Sequence, residues 1–303
     1  MMSAVLRKFK EEGPKRTAAA AWRRLMRPLH DLRTRTHPAY RDPSDEELQY
    51  VERQLAEAGV ACADYFADKA ALTAFRSRMG FPADYHGGQS GAVYDEKVLE
   101  HFVAWNLLDL ADEPERWPYV DIASATSPWA SLLRAQGLEA FSLDLAPHPS
   151  LATLPFTITA DATASPFDRE SIGSASLQCA YEMFVGDADM RLLRELGRIL
   201  KPGGRVVISP LYTHVHACYY QSPEHAGRPL GDAGATAYVR RDAHDVPCSR
   251  KYSAQTLVER VLRPARAAGL RPSVLVLRNK HQLGRGIYLH FILVLDKPKV
   301  DAA

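Results

Sequence analysis

The stretch Tyr119-Val-Asp-Ile-Ala-Ser-Ala-Thr-Ser-Pro-Trp129 constrains this chain most. A short apolar run, Tyr119 to Ile122, carries an acid at Asp121, and four very small side chains follow, Ala123 to Thr126. Pro128 suits the first turn of a helix, because the N–H it lacks has no partner there in any residue. Trp129 to Gln136 reads as that helix, and Gly137 suits its C-terminal end. Strand, tight small-residue turn and helix bring backbone close to a bound nucleotide and aim helix N–H groups at it. The next run, Glu139 to Leu145, alternates and ends at Asp144, about 20 residues past the turn, where a carboxylate accepts both hydroxyls of a ribose. This pair does not by itself name the cofactor; a nicotinamide fold follows the same logic.

Length and composition set the frame. The 303 residues are enough to bury a full core, and 46% hydrophobic with 24% charged residues is ordinary for a globular chain. No uninterrupted apolar run approaches the ~20 residues of a spanning helix, and the N-terminus lacks a signal-peptide core. Cys62, Cys179, Cys218 and Cys248 are scattered, which reads as a reduced cytoplasmic protein. Residues 1–40 hold ten Lys/Arg against three acids, a net +7, which leaves −5 for the rest of a chain whose total is +2.

In that arm Trp22, Leu25, Met26, Leu29 and Leu32 fall near one helical face, with Arg23, Arg24 and Arg27 off it, and Pro28 is expected to kink it. The sharper reading is a peripheral contact with anionic lipid through residues 1–35. The plainer one is an arm packed on the domain or on a partner subunit. Nucleic acid is not expected, since no aromatic-plus-basic platform recurs. The boundaries read as a basic arm and linker over 1–43, a helical cap region over 44–118, and a main domain over 119–300 with an insertion at 213–252. Ser44 and Glu47 form a capping box for a helix to about Ala58, and a second helix runs from about Asp68 to Met79. The Gly-rich loop Tyr85 to Gly91 precedes a helix from about Ala92 to Leu110, on which Tyr94, Lys97 and His101 share a face. A Tyr/Lys pair beside such a loop suits a carboxylate; a solvated face is the bland alternative.

Further along, Phe156 to Ala162, Ser174 to Tyr181, Arg205 to Tyr212, Pro272 to Arg278 and Ile287 to Asp296 read as strands. The last two are joined by a link too short for a crossover helix, so they should be antiparallel neighbours. Residues 213–252, with four histidines and a Gly/Pro-rich run, read as a binding loop, lid or small insertion.

At this point the chain resembles the class I S-adenosylmethionine-dependent methyltransferases (type 11-like) over roughly residues 92–300. Leu193 to Ser209, with Lys201-Pro-Gly-Gly204 at its turn, is the most specific match. The resemblance implies an α/β, Rossmann-like seven-stranded sheet with an antiparallel last strand and a helical N-terminal extension. It implies S-adenosylmethionine as cofactor, with Asp121, Ala123, Ser124 and Ala125 at the first motif, Asp144-Leu145 at the ribose, and Asp161-Ala162 at the adenine edge. Tyr181 lies in the motif after the fourth strand, and Tyr94 and Lys97 are candidates for the cofactor's carboxylate. One departure matters: Ala123, Ala125 and Ser127 stand where the family usually has glycine, the residue that reaches positive φ without strain.

Methyl transfer to a hydroxyl needs an aligned acceptor and a base. His214 and His216 follow the fifth strand on the ligand side of such a sheet and are the first candidates, with Glu182 next. Glu182 alternatively holds the cofactor's amino end, and each histidine alternatively serves as an ordinary loop residue. No spacing matches a known metal site, so none is expected. The leading reading is an O-methyltransferase acting on a small-molecule or sugar hydroxyl of a glycan or glycosylated metabolite. The alternative is a non-catalytic relative of the same fold. A nicotinamide oxidoreductase is disfavoured, because no G-x-G-x-x-G follows the first strand.

Overall fold

The structure, a computed structural model, describes residues 21–22, 25–228, 230–232 and 234–299. The arm's Arg7, Lys8, Lys10, Lys15, Arg16, Arg23 and Arg24 lie outside the described residues. Helix α1 covers 25–33 and runs through Pro28 without ending.

Helix α2 (Asp45–Glu57) starts at the predicted capping box: Glu47 N–H donates to Ser44 Oγ at 3.3 Å and Ser44 N–H to Glu47 Oε2 at 2.8 Å. Strand β1 (Cys62–Tyr65) follows, then α3 (Lys69–Met79), capped by Asp68 and closed by left-handed Gly80. Next come α4 (Tyr94–Leu107), β2 (Tyr119–Ile122), α5 (Trp129–Ala135), β3 (Ala140–Asp144), α6 (Pro149–Ala152) and β4 (Thr157–Thr159). Strand β5 (Ile172–Gln178), α7 (Ala188–Ile199) and β6 (Leu200–Ser209) complete the middle of the domain. The insertion holds β7 (Cys218–Gln221), β8 (Thr236–Val239) and β9 (Ser249–Lys251). Helices α8 (Ala254–Leu257) and α9 (Arg263–Ala267) flank a π turn over Val258–Leu262; Pro264 lacks the N–H that would continue an ordinary ladder there. Strands β10 (Arg271–Leu277) and β11 (Phe291–Asp296) close the chain.

The main sheet runs β1-β10-β11-β6-β5-β2-β3-β4, with β11 antiparallel to both neighbours and every other pair parallel. It therefore carries the seven expected strands and an eighth. That extra edge strand, β1, comes from the region expected to be a helical cap. Its four residues show no alternation that would announce it, and its hydrogen bonds go to β10, far off in sequence.

Alternation along β2 sends Val120 and Ile122 to one face and Tyr119 to the other. The first face packs on α2, α7 and the α8–α9 helix; the second packs on α3, α4 and α5. Gly197 of α7 lets that helix approach α9: a Cβ there would sit 2.3 Å from the Ala268 carbonyl oxygen. The insertion is ordered as a three-stranded sheet, β8-β7-β9. The linker 37–43 lies against its edge, where Tyr40 N–H donates to Val239 O at 2.9 Å and Val239 N–H to Pro38 O at 2.9 Å. This contact sets Tyr40 against Tyr220 and Asp42 against Arg240 of the insertion.

Candidate active site

Strand β2 is central: its neighbours β3 and β5 lead away in opposite directions, so a crevice opens beyond its C-terminal end. A cavity of 240 Å³ lies there. The turn Ala123 to Ser127 forms one wall, Tyr85 and His86 a second, Lys97, Glu100 and His101 of α4 a third, and Gln178 with Cys179 the floor. Ala123 and Ala125 adopt φ of 55° and 48°, the left-handed conformation that favours glycine. Their methyl groups do not fill the turn, since both residues line open space.

The electrostatics suit a ligand with polar and cationic groups. Asp121 is fully buried on the same face as Tyr119. Burial pushes its carboxyl up to about 7, the Asp144 charge adds to this, and Ser127 opposes it. Among the described residues its Oδ2 has no partner, nor do Glu100 Oε2, Gln178 Oε1, Ser124 Oγ and His101 Nδ1. Buried polar atoms without partners are costly, so five around one cavity mark a place built for ligand hydrogen bonds. Lys97 Nζ lies 2.8 Å from Glu100 Oε1, which puts an ammonium and a carboxylate side by side at the cavity wall. Burial pushes the Glu100 carboxyl upward, against Lys97. The residues fit an adenosyl amino acid: a cation for its carboxylate, acids for its ammonium, and small side chains along its path.

Asp144 sits at the end of β3, as the sequence predicts. Its Oδ2 accepts from Ala125 N–H and its Oδ1 from Ala146 N–H, both at 2.8 Å. Asp161 and Ala162 stand at the next strand end, where Asp161 Oδ1 caps a short helical turn through Thr163 N–H at 2.8 Å. Leu145 is exposed beside them. Neither Asp161, Ala162 nor Leu145 lines the cavity itself. Tyr94 and Tyr181 also stand outside it. Tyr94 packs in the core under the Arg76 guanidinium, and Tyr181 donates to Asp189 O at 3.3 Å beside Tyr252. Sequence reasoning gives Glu100 and His86 no role; it places Tyr85 only at the start of the Gly-rich loop and His101 only on the helix face of Lys97, and it does not single out Gln178 as a site residue. Glu100 was findable, three residues on from Lys97 on one helix face.

A second cavity, of 440 Å³, lies on the other side of Cys179. Tyr40, Tyr212, Tyr220, Tyr288 and Phe291 give it aromatic walls, and Arg240, Lys251 and Lys280 with Asp42 and Asp45 give it charge. Cys179 lines both cavities. It has φ of 51°, and its Sγ lies 3.2 Å from the Tyr212 hydroxyl and 3.4 Å from Glu182 Oε1. Burial pushes its thiol up to about 12, so it is no thiolate.

The two histidines expected as bases line neither cavity. The His214 backbone N–H is tied to Tyr252 O at 2.8 Å, and its ring packs on His216 at 4.4 Å. Burial lowers His214 to about 4, and His216 Nε2 contacts the Tyr238 hydroxyl at 3.0 Å. His214, His216 and Cys218 hold their polar atoms within 4.8 Å, but the lysine at 251 is the register partner of Cys218, and a cation beside them opposes metal binding. Glu182 touches the junction through Cys179, and its Oε2 has no partner among the described residues.

Strand order and the crevice at the sheet's parting are those of the Rossmann-like α/β fold with an antiparallel last strand that the sequence predicts. Residues 120–208 match the family model described as a methyltransferase domain. The chain is 32% identical over 135 residues to the biotin biosynthesis bifunctional protein BioHC of Cellvibrio japonicus (strain Ueda107), over 41% of this chain and 26% of that protein. It thus spans about a quarter of that relative's length. Among solved structures it is similar to 1,6-didemethyltoxoflavin-N1-methyltransferase of Burkholderia thailandensis, with 17% identity, a TM-score of 0.45, and 80% of this chain and 95% of that chain covered. It is also similar to an S-adenosylmethionine dependent methyltransferase of Mesorhizobium loti, with 19% identity, a TM-score of 0.42, and 64% and 96% covered. Among the described residues no helix is long and apolar enough to cross a membrane.

Proposed function

We propose that this chain is an O-methyltransferase that moves the methyl of S-adenosylmethionine to a hydroxyl of a small ring-bearing acceptor, a sugar or glycosylated metabolite being the class favoured. The single observation that carries the reading is the meeting of two unlike cavities at Cys179. One offers small side chains, buried acids and a lysine, as an adenosyl amino acid requires. The other offers tyrosine faces and paired charges, which stack on a ring and hydrogen-bond its hydroxyls.

In this reading Lys97 and Glu100 hold the amino-acid end, Asp121 faces it from the floor, Asp144 takes the ribose, and Asp161 with Ala162 takes the adenine edge. Residues 119–300 are the catalytic unit, and the insertion 213–252 with the linker closes the acceptor side. The cofactor supplies an activated methyl on a good leaving group. The protein's work is to align and desolvate the acceptor and to take its proton. The arm's exposed apolar residues Trp22, Leu25, Leu29 and Leu32 support a peripheral contact with anionic lipid.

Calorimetry with S-adenosylhomocysteine, followed by labelled methyl transfer to sugar nucleotides, glycolipids and phenols, tests this. Micromolar binding and label in an alkali-stable ether are expected. Absence of binding at high micromolar ligand would favour a non-catalytic relative of the fold.

A further inference from the structure

The acceptor cavity holds three buried or half-buried cations, and two are matched. Arg240 pairs with Asp42 at 3.0 Å, and Lys280 with Asp45 at 2.5 Å. Lys251 is different. Among the described residues it has no carboxylate within ion-pair distance, although it is only 2% exposed. Its Nζ has one hydrogen bond, to Ser249 Oγ at 3.0 Å. Otherwise it faces rings: it stands 3.3 Å from the centre of Tyr212, 5.2 Å from Tyr220 and 6.0 Å from Tyr40. An ammonium has three donors to satisfy, so two are left to π faces and to whatever enters the cavity.

Its position relative to the junction is fixed by Tyr212. Lys251 lies on one face of that ring, and the ring's hydroxyl touches Cys179, where the two cavities meet. An acceptor hydroxyl that reaches the cofactor past Cys179 must therefore pass beside the lysine. We propose that Lys251 is the base of the reaction, its neutral Nζ taking the proton of the acceptor hydroxyl. This rests on the methyltransferase reading of the same site. In the step, the Nζ lone pair takes the proton while an oxygen lone pair forms the O–CH₃ bond. The S–CH₃ bond breaks, its electron pair stays on sulfur as S-adenosylhomocysteine leaves, and the ammonium then returns the proton to solvent.

The electrostatics agree. Burial lowers Lys251 to about 8, within the range in which a lysine serves as a base near neutral pH. The carboxylates of Glu182 beyond the junction and Asp42 of the linker oppose that shift without cancelling it, while the thiols of Cys179 and Cys218, each pushed up to about 12, stay neutral. His214 and Cys248 also face the lysine, and both are uncharged at neutral pH, since burial lowers the imidazole to about 4 and raises the thiol to about 12. Arg250, its neighbour on β9, points away into Asp189 and Asp232.

The test measures kcat/KM against pH for the wild type, Lys251→Met and Lys251→Arg, with S-adenosylhomocysteine affinity measured on each. Wild type should rise with unit slope to a plateau above about pH 8. Lys251→Met should lose about 10²–10⁴-fold and the rising limb, with cofactor affinity kept within about twofold. Lys251→Arg should be as slow, because it keeps the charge but cannot take a proton. A rate restored by arginine, or a limb near pH 8 that survives in Lys251→Met, overturns the proposal. So does a flat wild-type profile, a result that needs no variant to fold. Failure of the wild type to bind S-adenosylhomocysteine would instead overturn the methyltransferase reading.

Discussion

Ala125 donates its backbone N–H to Oδ2 of Asp144 at 2.8 Å, which ties the turn after β2 to the end of β3. Ala146 N–H fills the other oxygen of the same carboxylate. The group thus shapes the turn before any ligand arrives, and in the proposed reading the same carboxylate takes the ribose. Asp144→Ala should weaken S-adenosylhomocysteine binding by about 10²-fold, since hydrogen bonds to a charged group contribute about 1.5–3 kcal/mol each. Asp144→Asn should fall between the two. Calorimetry reads this directly, and an unchanged Kd for the alanine variant would remove Asp144 from the ribose.

The turn itself is strained. Ala125 at φ 48° holds a conformation that costs an L-residue roughly 1–2 kcal/mol, and its side chain is exposed. Glycine removes the strain but adds freedom to the unfolded chain, so the two effects partly cancel. Ala125→Gly should leave urea stability unchanged or raise it by about 0.5–1 kcal/mol, and should not weaken cofactor binding. A loss above 1 kcal/mol would mean that the methyl group packs on something the turn needs.

Asp121 makes the site sensitive to pH. Its folded pKa is raised from 3.8 to about 7, so the stability it contributes is complete below about pH 4 and is lost as pH rises through about 7. Asp121→Asn removes that slope. Relative to wild type, the variant should gain stability between pH 4 and pH 8, by up to about 4 kcal/mol. The sulfonium cofactor reverses the preference, because a cation favours the ionised acid. Its affinity should tighten as pH rises through 7 in the wild type and stay flat in Asp121→Asn. Parallel affinity profiles for the two proteins would rule out a role for Asp121 beside the cofactor.

What the sequence made legible was local. The capping box at Ser44, the turn after Ile122 and the acid at Asp144 are each set by neighbours within a few residues, and each stands where the pattern put it. What stayed hidden depends on contacts between distant segments. Strand β1 has no alternation of its own and is a strand because β10 offers it an edge. Lys251 is only a basic residue in a long insertion until Tyr40, Tyr212 and Tyr220, from three separate segments, close around it. His214 and His216 drew attention by residue type and by their place after a strand, which says nothing about where their rings point.

The arm offers the last test. Helix α1 turns Arg27 inward, bonded to His244 and the carbonyl oxygens of Arg241 and Ala243, while Trp22, Leu25, Leu29 and Leu32 face out, each 44% exposed or more. An apolar strip in an arm whose sequence over residues 1–40 carries a net charge of +7 suits the surface of an anionic bilayer, where each basic residue contributes about 1 kcal/mol. The full chain should co-sediment with vesicles containing a third phosphatidylserine, bind phosphatidylcholine vesicles weakly, and be released by salt. The double change Leu25→Ser and Leu32→Ser should lower binding at least tenfold while methyl transfer to a soluble acceptor stays as it was. Equal binding to both vesicle types, or none to either, would leave the arm as a packing element for the domain or for a second subunit.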